Sequence, residues 1–176
     1  EELAKIAQRY RNKFDLKQSE FVDIIEIIEF QMPLAFEGFR LVITKDDEIE
    51  GEAEAQPEFN RIKVKQSIYE EACQGDPLAR FTLAHELGHF LLHAKYGSGM
   101  QKNFKGYKKK FNFNSLNSAE SHADIFARHF LIHPATAYRL RENPEALSRS
   151  TGAPFKEALI AIKVAKRTEF AALRTR

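Results

Sequence analysis

The sequence predicts an α+β fold, mainly helical, with a small three-stranded antiparallel sheet set against one long apolar helix. Two patterns predict it. Phe39 to Thr44 is β-branched and aromatic, and Ile49 to Ala55 and Arg61 to Lys65 alternate polar with apolar or small residues, as strands with one solvated face do. On both sides of that region apolar residues recur three and four apart, the helical spacing. Size adds a bound. A chain of 176 residues, 43% apolar and 30% charged, suffices for one domain with a real core and is short for two, so 1–176 is read as a single domain.

Composition excludes several classes. Twenty-seven Lys and Arg against 25 Asp and Glu leave +2, so bulk charge gives no reason to expect a nucleic-acid or membrane-surface protein. Cys73 is the one cysteine and can form neither an internal disulfide nor a thiolate zinc ribbon, which fits a reducing compartment. No apolar run approaches the roughly 20 residues that cross a bilayer, and Glu1 to Arg9 is charged rather than signal-like. The expected location is cytoplasmic.

Taken in order, Leu3, Ile6, Ala7 and Tyr10 mark a first helix, and Phe21, Ile24, Ile25 and Ile28 a second that Pro33 interrupts. Three strands follow, with Lys45 to Glu48 as a turn after the first. Leu41, Ile43, Ile62 and Val64 are expected to face the long helix. Ser67 and Glu70 have capping-box spacing for a short helix ending near Gly75. Asp76 before Pro77 is a strong start signal, and the apolar stretch Leu78 to Ala94 makes the longest helix. Asn117 and Glu120 have capping spacing for the next, which runs through Phe126 and Phe130 and ends before Pro134. Helices then restart at Pro134, Pro144 and Pro154.

The chemistry sits in the long helix. His85-Glu86-Leu87-Gly88-His89 is an H-E-x-x-H motif. Four helical residues turn through about 400° and rise about 6 Å, so both imidazoles reach one metal. Glu86 lies about 100° from His85, beside the pair, where a carboxylate can act as general base on a water at the metal. Such a group is costly to bury among apolar neighbours unless coordinated, and one zinc ion is the expected cofactor. Gly88 destabilises the helix by about 1 kcal/mol relative to Ala, which predicts a segment packed closely there.

A catalytic zinc takes three protein ligands. His93 is about 12 Å from His85 along the axis, too far to share the ion, and reads as a supporting or core histidine. Leu92 and Lys95 stand where metzincins need glycine and histidine, excluding that class. On the next helix Glu120 and Asp124 share a face, so Glu120 can ligate while Asp124 accepts a proton from a liganding histidine, the gluzincin arrangement. Spacing alone leaves open that Glu120 caps the helix and Asp124 is solvated.

Arg80 to His93, Glu120 to Ala127 and Leu131 to Pro134 together resemble the ImmA/IrrE metallopeptidase family, over about a third of the chain. Two positions depart: Asp124 where asparagine is usual, and Ile132-His133-Pro134 where Leu-Met-Pro is usual. The resemblance implies zinc ligands His85, His89 and Glu120, a catalytic carboxylate at Glu86, and a site-specific endopeptidase. It also implies the substrate: a helix-turn-helix repressor, whose cleavage relieves repression of mobile-element or stress-response genes. The opening helices lack a glycine-containing turn, so a stand-alone catalytic domain is expected. Competing readings are a non-catalytic zinc-stabilised protein that binds a repressor or DNA, and a toxin-antitoxin component.

The stretch Ser98 to Leu116 interleaves five lysines with Phe104, Tyr107, Phe111 and Phe113 and reads as a flap or as a solvated loop. It holds no arginine, so a protein substrate ranks above nucleic acid. Tyr96, Tyr107 and His133 are candidates to assist the oxyanion.

Overall fold

The computed structural model describes residues 2–16, 19–93 and 116–174. The Ser98 to Leu116 stretch, apart from Leu116, lies outside the described residues, as do Tyr96, Tyr107 and the side chain of His93. No helix among the described residues is long and apolar enough to cross a membrane.

The architecture is α+β, mostly helical with one small sheet. α1 (Glu2–Lys13) is followed by a helical stretch made of α2 (Ile24–Glu26), a π turn (Ile27–Gln31) and α3 (Met32–Ala35). Pro33 does not interrupt this stretch as its sequence predicts. Met32 N–H reaches back five residues to Ile27 O, and the wider turn lets Pro33 open a new helix, where no N–H is demanded. Phe21 lies before the helix and is exposed.

β1 (Arg40–Thr44), β2 (Ala53–Gln56) and β3 (Arg61–Lys65) lie in the order β1-β3-β2. The sheet is mixed, which corrects the all-antiparallel expectation. β2 and β3 are antiparallel, but β1 and β3 are parallel, with Leu41 opposite Ile62 and Ile43 opposite Val64. The chain leaves β1, passes the end of β3 and places β2 on its far side. Asp46 pins this crossing by accepting from Ser67 N–H at 3.1 Å. That bond also serves the first turn of α4 (Gln66–Cys73), whose N-cap Lys65 offers no side-chain cap bond. Asn60, at φ 53°, turns the chain back into β3.

α5 (Pro77–His93) crosses β2 and β3. Ile62 and Val64 are wholly buried and Leu41 packs against the core. Ile43 is 44% exposed, which corrects its expected inward position. α6 (Leu116–Leu131) packs against α5 on one side and α1 on the other. Tyr10, Phe14, Phe126 and Phe130 interlock there, and Phe36 and Phe39 meet the edge of Phe90. Each such side chain contributes about 1.5–3 kcal/mol on full burial. α7 (Pro134–Arg139), α8 (Pro144–Thr151) and α9 (Phe155–Arg174) restart at or just after the three prolines.

Two buried arginines tie these layers. Arg11 donates to Phe130 O and, at 2.6 Å, to Ser19 O, and burial pulls its pKa down to about 10. Arg80 donates to Val22 O at 2.8 Å, Gly152 O at 3.1 Å and Thr151 O at 3.4 Å, with its guanidinium 4.0 Å from the centre of the Phe21 ring. Gly152 is obligatory beside it: φ is 62°, and a Cβ would fall 2.9 Å from both Arg80 Nε and Phe21 Cε2.

Candidate metal centre

The start of α5 is fixed by Asp76, whose Oδ1 accepts from Leu78 N–H and Ala79 N–H at 2.9 Å each. Leu83, Leu87 and Phe90 bury the face toward the core, leaving His85 and His89 turned to α6. Gly88 sets how near α6 comes. A Cβ there would stand 3.1 Å from Phe126 Cδ1 and 3.2 Å from Ala123 Cα, so the close packing predicted for this glycine is present.

At that spacing three side chains converge. His85 Nε2 is 2.9 Å from His89 Nε2 and 3.1 Å from Glu120 Oε2, and His89 Nε2 is 3.1 Å from Glu120 Oε1. Glu120 therefore faces both histidines across the cleft. A tetrahedral ion with bonds of about 2.0–2.1 Å to N and O holds its ligand atoms about 3.3 Å apart, close to this triangle. The donor set, two imidazoles and one carboxylate with ligand atoms all within 4.8 Å, suits a divalent metal such as zinc.

The surroundings set the protonation. Asp124 Oδ1 lies 2.8 Å from His85 Nδ1, so that nitrogen donates and Nε2 keeps the lone pair a metal needs. The proton acceptor that spacing suggested at Asp124 is present. The cleft is asymmetric: the His85 and His89 side chains are 16% and 18% exposed, Glu120 and Asp124 61% and 50%.

Glu86 lies between the triangle and the sheet, close enough to His89, His85 and Glu120 to feel their charges. Its Oε2 accepts from Ala55 N–H at 2.6 Å. One turn earlier Thr82 donates to Glu52 at 2.9 Å, so strand and helix are tied twice. Burial pushes the Glu86 carboxyl above the usual carboxylate range, against the pull of His89, the Ala55 N–H and His85. A carboxylate so raised is better matched to taking a proton near neutrality.

Two other sequence candidates are not among the residues that could hold a metal. His133 uses Nδ1 to accept from Ala135 N–H at 3.1 Å, capping α7. His129 lies outside the triangle, and burial, with Arg128 beside it, lowers its pKa to about 4. Sequence reasoning missed the Ala55 contact, which no side-chain pattern signals because the donor is a main-chain N–H.

The family described as IrrE N-terminal-like domain, a peptidase family, matches residues 41–157. The chain belongs to it. This metallopeptidase-like family bears out the resemblance read from the motifs. A solved Mycobacterium tuberculosis transcriptional regulator shares the fold at TM-score 0.58 and 17% identity, over 89% of this chain and 44% of that one. The chain thus spans less than half the length of that structure. No curated protein matches it.

Proposed function

We propose that the chain is a zinc-dependent site-specific endopeptidase whose substrate is a helix-turn-helix transcriptional repressor. The triangle of His85 Nε2, His89 Nε2 and the Glu120 carboxylate, with Glu86 beside it, carries this reading. Family membership and the fold shared with a transcriptional regulator support it. His85, His89 and Glu120 would hold the ion, leaving one position open. Zinc bound there supplies Lewis acidity, to the scissile carbonyl and to the attacking water. Asp124 keeps the His85 ring oriented. Glu86 takes the proton from that water and passes it to the leaving amine. The open carboxylate side admits an extended segment of a protein partner.

The test separates binding from chemistry. Purified chain is expected to hold about one zinc, by the single site proposed. Glu86→Gln is expected to keep the metal and lose cleavage of purified helix-turn-helix repressors from the same genome. Cleavage retained by that variant removes Glu86 as the base. A zinc-loaded parent that binds a repressor without cutting it supports the binding-only reading.

A further inference from the structure

β2 is an outer strand: β3 lies on one side and no strand, among the described residues, on the other. One hydrogen bond tells which of its backbone groups face outward. Lys65 N–H donates to Glu52 O at 3.0 Å, making these opposite residues a bonded pair. Antiparallel pairs alternate, so Glu54 with Lys63 and Gln56 with Arg61 are bonded pairs as well. Ala53 and Ala55, opposite Val64 and Ile62, therefore turn their N–H and C=O groups away from β3. The Ala55 N–H stands outside the ladder and is spent on Glu86 Oε2 at 2.6 Å.

We propose that Ala55 is a positioning residue for Glu86: its backbone N–H clamps one carboxylate oxygen at the sheet edge, so that Oε1 is presented to the attacking water. This rests on the peptidase reading above. A carboxylate's terminal torsion is broad, and a glutamate held only by its stem would rotate through many orientations. A main-chain donor in a strand has no rotamers of its own, so it fixes the oxygen at little entropic cost. The strand is held in turn. Ala53 and Ala55 pack against the core with side chains small enough for β2 to lie close on α5, and Thr82 anchors Glu52 one turn before Glu86. The sheet edge thus aims the base, much as Asp124 aims His85.

Ala55→Pro removes the N–H and, on an edge strand where that N–H is outside the ladder, costs no sheet hydrogen bond. Ala55→Ser retains it. With zinc-loaded full chain and a cleaved repressor, Ala55→Pro is expected to lower kcat about tenfold or more at near-parental KM and zinc content. Ala55→Ser is expected to stay within about twofold of the parent. A parental kcat in Ala55→Pro overturns the clamp.

Amide hydrogen exchange tests the same contact without any cleavage. In the parent the Ala55 amide is expected to exchange about tenfold or more slowly than the outward-facing Ala53 amide. Glu86→Ala should erase that difference while β3 amides keep their rates. Equal exchange of the two amides in the parent overturns the clamp even if Ala55→Pro fails to fold. A protected Ala55 amide in a chain that cuts no repressor counts against the proposed substrate and supports the clamp.

Discussion

α5 carries two clusters of polar groups within a few turns, and they are resolved in opposite ways. At Arg80, 2% exposed, every contact closes inward: three carbonyls accept from the guanidinium and an aromatic ring covers it. At His85 and His89 the nitrogens converge on one another and on two carboxylates that are half exposed or more. One cluster is complete without help from outside the chain; the other gathers the donor set of a metal site. Buried polarity that serves the fold satisfies itself, and polarity that serves chemistry is left for a ligand to satisfy.

That contrast is tested hardest at Arg80. Arg80→Met leaves the Val22, Thr151 and Gly152 carbonyls without their donor in a dry site and should cost about 3 kcal/mol in denaturant unfolding. Metal content of the protein that remains folded should be unchanged, because the two clusters share no side chain. Loss of metal there would break the distinction.

His129 gives a pH test of the interior. Burial, with Arg128 beside it, lowers its pKa from 6.5 to about 4, so between those values the unfolded chain binds a proton the folded chain refuses. Stability should therefore fall as pH drops through that window, by about 2 kcal/mol between pH 7 and 5, and His129→Gln should flatten the dependence.

Changes in the cleft should act on metal retention instead. Glu120→Ala removes a ligand and is expected to weaken zinc retention about tenfold or more, with less effect on unfolding than the arginine change. Full occupancy in that variant would assign the third ligand elsewhere. Asp124→Asn keeps an acceptor for His85 Nδ1–H, and its effect on zinc should stay within a few-fold, read by competition with a chelator.

Much of the cleft was legible because its rules are local. Helical spacing puts His85 and His89 on one face and Glu120 with Asp124 on another, and Gly88 announces the close approach between them. Main-chain partners and non-local order were not legible. Nothing in the alternation of Arg61 to Lys65 tells a parallel neighbour from an antiparallel one, since both need the same buried face at Ile62 and Val64. Ile43 has the residue type of an inward position and is nevertheless exposed, while Leu41 on the same strand packs against the core. Arg11 lies four residues after Ala7, so its place on the buried face could be read, but not that carbonyls of Ser19 and Phe130 would receive it.

Arg80 also bears on where the chain can be cut. Its carbonyl acceptors come from Val22, well before the helix, and from Thr151 and Gly152, well after it. The family's shared segment, 41–157, includes the later two and leaves out Val22 and the Phe21 ring. A fragment trimmed to that segment keeps every residue of the metal triangle yet strands a cation with part of its shell missing. A piece that keeps the arginine's whole shell is therefore larger than the piece the family has in common, and the extra length belongs to the arginine rather than to the metal triangle.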